Sequence, residues 1–216
     1  MIGSSPTDGL QSLRPGTSAA VSTRMTPGAA ATGSKSRFRI LALAAVAAQA
    51  IVLGMSRCVS ISLGASLDDH DNSWAADQPL DQQMAFDAIA KLWTFLEQTP
   101  LPEDPSRTMA DETVVVIGSD FSRTPILNTN EGRDHWPVNA CVFMGGNMPL
   151  GQVIGASTLY GMESSAIDPE TGDIIPAETE GALTMNPGHW MASLMDNEGL
   201  SLEHLREDPL ACLNSS

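Results

Sequence analysis

Residues 113–135, TVVVIGSDFSRTPILNTNEGRDH, hold both a strong strand signal and the densest group of chemically capable side chains in the chain. Val114-Val115-Val116-Ile117 is an unbroken run of β-branched apolar residues, the composition of a strand buried on both faces of a parallel sheet. Gly118-Ser119-Asp120 ends it. Asp120 therefore falls just past the C-terminal end of the strand, where open α/β sheets gather ligand-binding side chains. Arg123 follows three residues later, and Glu131, Arg133, Asp134 and His135 close the stretch. Carboxylates, guanidiniums and an imidazole among small and turn-forming residues point to a site for a metal and an oxyanion rather than a solvated loop.

Downstream, Ala140–Met144 is expected to be a second buried strand, and Gly145-Gly146 allows a tight turn or the close approach of another group. Gln152–Ile154 is a candidate short strand. Residues 161–183 are rich in acid and turn formers, with turns at Asp168-Pro169 and Thr171-Gly172-Asp173. Pro187–Asn197 is expected to be a short helix with Trp190, Leu194 and Met191 facing inward, followed by a helical turn near Leu202–Arg206.

Upstream, Pro79–Gln98 has helical periodicity. Pro79 suits a first turn, and Phe86, Ile89, Trp93 and Leu96 recur at three- and four-residue steps, widened by Ala85, Ala88 and Leu92. Thr99–Pro105 is a surface connector. Cys58–Leu63 alternates apolar and small polar residues as a strand does, and Asp68-Asp69-His70-Asp71-Asn72 comes after it. Residues two apart in extended chain point the same way, so Asp68 and His70 can face one cation. Strands and helices alternate, which predicts an α/β layer fold with a mostly parallel sheet flanked by helices.

Ile40–Met55 is the most apolar segment and follows Arg37 and Arg39. Its first reading is a buried helix, its second a targeting segment in which Ala48-Gln49-Ala50 mimics a cleavage motif, and its third a membrane anchor. As a helix it reaches roughly 24 Å, short of a hydrocarbon core of roughly 30 Å, so no membrane span is expected. Residues 1–38 are Ser, Thr, Gly, Ala and Pro without an apolar period and are expected to be mostly disordered, leaving 39–216 as the folded part.

The chain has 216 residues, 42% of them hydrophobic, enough for a sizeable core. Its net charge of −15 is unevenly spread, because five of the 11 basic residues but only Asp8 of the 26 acidic ones lie before position 40. So acidic a body repels nucleic acid and anionic lipid, and some of its acid is available to hold cations. Cys58, Cys141 and Cys212 are too scattered for a disulfide framework or a cysteine zinc site, and the first two are expected to be buried small hydrophobes.

Three groups, Asp68 with His70, Asp120, and Asp134 with His135, each follow an expected strand, so the fold can bring them together although they are far apart in sequence. Mixed carboxylate and imidazole donors suit zinc, manganese or iron. Each group alone has a plainer reading: Asp-x-His as an exposed turn, Asp134-His135 as a polar loop, and Asp120 as a cap.

Together they match a pattern. SDFSRTP at Ser119–Pro125, GRDHWP at Gly132–Pro137 and MGGNMPLGQVIGAS at Met144–Ser157 resemble the C-terminal half of a bacterial sulfatase-like family, Domain of Unknown Function 1501, within the alkaline-phosphatase and sulfatase superfamily. SISLGASLDDHDN resembles that family's strand and Asp-Thr-His turn, with Asp69 in place of the threonine. Where the family has Ser-Glu-Phe-Gly-Arg-Thr-Pro, this chain has Asp120 for the glutamate and Ser122 for the glycine. The resemblance implies an alkaline-phosphatase-like domain and metal-assisted hydrolysis of a phosphate or sulfate ester. It implies Asp68, His70, Asp120 and His135 as ligands, Asp134 as a ligand or as the partner that orients a histidine, and Arg123 or Arg133 as a clamp on the oxyanion. Zinc is the first choice of metal, with manganese or calcium as alternatives. The family also carries a nucleophile segment far upstream, and no matching strand precedes Ile40. The domain is therefore expected to be incomplete on its N-terminal side, to self-associate or take missing strands from another chain, and either to be inactive alone or to serve as a metal-stabilised scaffold. Export is implied too, although no clear signal peptide is legible.

Overall fold

The computed structural model describes residues 21–23, 33–63, 67–146, 148–149 and 151–214, and the expectation of disorder over residues 1–38 falls mainly outside them. The chain divides into two units, Met1–Gly64 and Ala65–Ser216.

In the first unit, helix α1 spans Gly33–Val52. Ile40, Ala44, Ala47 and Ala48 are buried, whereas Phe38, Val46, Leu53 and Met55 face solvent. The buried positions recur at helical spacing, and a stripe of mostly small side chains lets the helix lie close to its neighbour. Strand β1 is Val21–Thr23, and β2, Val59–Ile61, pairs in parallel with it and packs on α1. The three elements form a strand–helix–strand crossover. No helix among the described residues is long and apolar enough to cross a membrane. Cys58 is exposed rather than buried, because it sits before the paired part of β2; Cys141 and Cys212 are partly buried, which raises their thiol pKa values.

The second unit opens with the turn Asp71-Asn72-Ser73. Asp71 Oδ1 accepts from the Ser73 N–H at 2.9 Å and its carbonyl accepts from Trp74 at 3.1 Å, so helix α2 starts at Trp74 and runs to Gln98. The aspartate turn, rather than Pro79, sets the start; Pro79 lies inside the helix. Gln78, Ala88, Ile89 and Leu96 form the buried stripe, and Phe86, expected to face inward, is 58% exposed. At about 100° per residue the stripe centres roughly a quarter turn away from Phe86.

Helix α3 (Met109–Glu112), capped by Thr108 and Asp111, packs on α2 and leads into β3 (Val115–Ile117). Next come β4 (Ser122–Arg123) and β5 (His135–Trp136), an antiparallel pair that places Arg123 opposite His135. Strand β6 (Val142–Met144) then returns antiparallel to β3, with Val116 opposite Phe143. Gly145 and Gly146 have φ of +78° and +56°, and a Cβ on Gly145 would lie 2.5 Å from the Thr113 carbonyl oxygen and 2.7 Å from the Trp93 ring. The pair of glycines thus makes both the turn and the close approach expected of it.

Strands β7 (Ala166–Ile167) and β8 (Leu183–Thr184) pair antiparallel ahead of helix α4 (Pro187–Asn197). Trp190 and Leu194 face the core as expected, whereas Met191 is 39% exposed. Met148, Ile167, Leu210 and Leu213 are the centre of that core, and Val114 and Phe143 pack on it, the latter edge-on to Trp190 at 5.6 Å. Ile167 and Leu210 are 0% and 1% exposed. Burying each contributes on the order of 2 kcal/mol, which anchors the β3–β6 pair from which the site loops extend.

Candidate metal centre

Asp68, His70 and His135 come together across more than sixty residues of chain. His70 Nε2 lies 3.0 Å from Asp68 Oδ1, His135 Nε2 lies 3.1 Å from the same oxygen, and the two Nε2 atoms are 3.1 Å apart. The three side chains form a group that could hold a metal ion. Bonds of about 2.0–2.2 Å place adjacent ligand atoms between about 2.9 Å, at right angles, and about 3.4 Å, at tetrahedral angles. The observed edges fall inside that interval.

Proton accounting sharpens the fit. His70 Nδ1 lies 2.9 Å from Asp134 Oδ1, and a carboxylate can only accept, so Nδ1 carries the proton. Arg123 Nη1 lies 3.2 Å from His70 Nε2 and can only donate. Nε2 thus faces Arg123, which can only donate, and Asp68 Oδ1 at 3.0 Å, which can only accept, so neither protonation state of Nε2 satisfies both, whereas a cation between an unprotonated Nε2 and Oδ1 would satisfy the carboxylate. Asp134 occupies the position from which a carboxylate can orient the His70 ring.

Local sequence makes these contacts possible. Asn128 Nδ2 donates to Asp134 Oδ1 at 2.9 Å and to the His70 carbonyl at 3.0 Å, while its Oδ1 accepts from the N–H groups of Asn130 and Gly132. One side chain folds the loop and ties it to both histidine segments. Gly132 is buried, and a Cβ there would collide with the backbone of His70 and Asp71, so only glycine permits the approach. Phe121 stacks on the His135 ring at a centroid distance of 3.8 Å. No signal in the sequence marks Phe121 as a neighbour of the site, whereas the Asn-x-Asn-x-Gly turn pattern at 128–132 marks Asn128 and Gly132.

Electrostatics follow from the contacts. Arg123 Nη2 donates to Asp68 Oδ1 at 2.6 Å, and this bond, then that of His135, lowers the Asp68 pKa to about 2. His70 first and Asn128 second depress Asp134. Asp69, whose Oδ2 is buried without a partner, is raised by burial and by Asp77 and Asp81.

Two other expected residues make different contacts. Asp120 is not among the three convergent ligands, and its carboxylate accepts from the adjacent Phe121 N–H at 3.1 Å. Arg133 donates to the Thr124 carbonyl at 2.6 Å and stacks over Trp74 at 4.3 Å, so its guanidinium braces the loop.

A family model described as "Protein of unknown function (DUF1501)" matches residues 17–179. No curated protein and no solved structure matches the chain.

Proposed function

The chain belongs to the DUF1501 family, and from that premise we propose that it is a metal-dependent hydrolase of phosphate or sulfate esters, built on the mostly parallel, alkaline-phosphatase-like sheet its motifs resemble. The supporting observation is the convergence of Asp68 Oδ1, His70 Nε2 and His135 Nε2 with Asp134 behind His70. Among the described residues the β1–α1–β2 crossover is parallel and is consistent with the α/β part of the reading, while the β3–β6, β4–β5 and β7–β8 pairs are antiparallel. Asp68, His70 and His135 would hold a divalent cation, which would supply Lewis-acid activation of the attacking oxygen and charge neutralisation. One carboxylate and two imidazoles suit zinc or manganese better than calcium, which takes oxygen donors. Asp134 holds the tautomer of His70, Phe121 holds the plane of His135, and Arg123, which faces the triangle, is better placed than Arg133 to meet an oxyanion.

A second reading, a metal-stabilised scaffold without turnover, draws on a different observation. The hydroxyls of Ser119, Ser122 and Thr124 all donate to backbone carbonyls, which leaves these neighbours of the site committed to structure. Chromogenic phosphate and sulfate monoesters assayed with zinc, manganese or calcium separate the two. Turnover that His135→Ala abolishes favours the hydrolase, whereas stoichiometric metal without turnover favours the scaffold. A chain that retains metal fully in the Asp68→Ala/His135→Ala double variant would sink the ligand assignment in both.

A further inference from the structure

Arg123 touches the same atoms that a cation needs. Its Nη2 donates to Asp68 Oδ1 at 2.6 Å, its Nη1 lies 3.2 Å from His70 Nε2, and Nη1 also donates to the Arg133 carbonyl at 3.2 Å. The side chain is 15% exposed and passes over the Phe121 ring at 5.5 Å, so it is held in this pose by packing as well as by its bonds. A carboxylate oxygen has lone pairs enough for a guanidinium and a metal together, but an unprotonated imidazole nitrogen has one. The Arg123–His70 bond and a metal–His70 bond therefore exclude each other.

We propose that Arg123 is a built-in competitor for the metal centre: a divalent cation binds by displacing the guanidinium from His70 Nε2, which frees the forked donors for an oxyanion. The proposal rests on the metal reading above and adds an order of events, in which metal loading precedes anion capture by Arg123. It also predicts weaker metal binding than the donor set alone would give, because every binding event breaks a charge-assisted bond. Like-charge repulsion between Arg123 and the metal adds to the competition but is screened by salt, whereas competition for one lone pair is not.

The test compares zinc binding to the full chain and to Arg123→Met by titration calorimetry at low salt and in 1 M sodium chloride. Zinc is expected to bind the variant about tenfold or more tightly, the scale of a hydrogen bond to a charged group, and the gain should persist in high salt. Equal or weaker binding by the variant overturns the proposal, as does a gain that vanishes in high salt. If neither chain binds zinc, the ligand assignment fails and the competition with it. Should Arg123→Met not fold, nitrogen-15 spectra of the wild-type chain decide. On zinc saturation the Arg123 side-chain N–H signals are expected to shift and exchange faster as His70 Nε2 changes partner; unchanged Arg123 signals alongside a zinc-shifted His70 overturn the proposal.

Discussion

Two histidine neighbourhoods in the second unit look alike in composition and differ in chemistry. Around His189, the Asn186 N–H donates to Nδ1 at 3.2 Å and Nε2 lies 3.2 Å from Glu207 Oε2, one complementary partner for each nitrogen. Ser193 beside it is 0% exposed, donating to the His189 carbonyl and accepting from the Leu210 N–H. Nothing there asks for a ligand; the group caps α4 and ties it to the C-terminal segment. Around His70 the sums do not close. Its Nε2 faces a carboxylate oxygen, another imidazole nitrogen and a guanidinium, so several groups converge where one proton or one cation can sit. Burial would have ranked them the other way, since His189 is buried and the side chains of His70 and His135 are 43% and 50% exposed. Donor and acceptor inventory, rather than depth, separates a structural histidine from a candidate ligand.

That contrast breaks most visibly under alanine. His70→Ala is expected to lose zinc by at least about a hundredfold in calorimetry while unfolding near the wild-type urea midpoint, whereas His189→Ala should keep zinc and lose about 1–3 kcal/mol of stability from a buried hydrogen-bonded group. The reverse pattern would undo the distinction. Asp134→Asn comes next. It keeps the shape but no longer selects the Nδ1–H tautomer of His70, and zinc affinity should fall about 10- to 100-fold, with the melting temperature little changed. Unaltered affinity would mean that Asp134 does not orient the ring.

Smaller effects concern the acid around the turn. Asp69 stands where the family pattern has threonine, and its pKa is raised by burial and neighbouring carboxylates. A raised acid is destabilising where it is ionised, so Asp69→Thr should raise the urea midpoint at neutral pH and lose that advantage in acid, as urea titrations at two pH values would reveal. Asp68 has the opposite sign. Its folded pKa of about 2 lies below its ordinary 3.8, so its contribution is present above about pH 4 and is lost as pH falls toward 2. Because its side chain is 67% exposed, the loss should stay under about 1 kcal/mol and disappear in Asp68→Asn.

Much of the candidate site was legible residue by residue. Asp68 and His70 stood two apart after an alternating segment, Asp134-His135 closed the loop beyond a β-branched run, and Arg123 lay between, so residue type and position along the chain were enough to nominate them. Asp120 looks equally good by the same rule, and what the structure adds is that its carboxylate accepts from the Phe121 N–H while Asp68, His70 and His135 form the convergent group. The helix over Pro187–Asn197 was readable to the residue, since its period and its Asn-Pro start are local signals. The start of α2 and the exposure of Phe86 were not, since a side-chain turn at Asp71 outweighed the proline and packing chose the inward face.

The amino-acid sequence by itself determined the inventory: an acidic chain, its helical and strand-forming segments, and the donors able to bind a cation. Tertiary structure alone decided which donors meet, because contacts across more than sixty residues depend on Asn128 and Gly132 seating one loop against another. It also decided that Arg123 shares the His70 lone pair, a matter of angstroms that no spacing along the chain encodes.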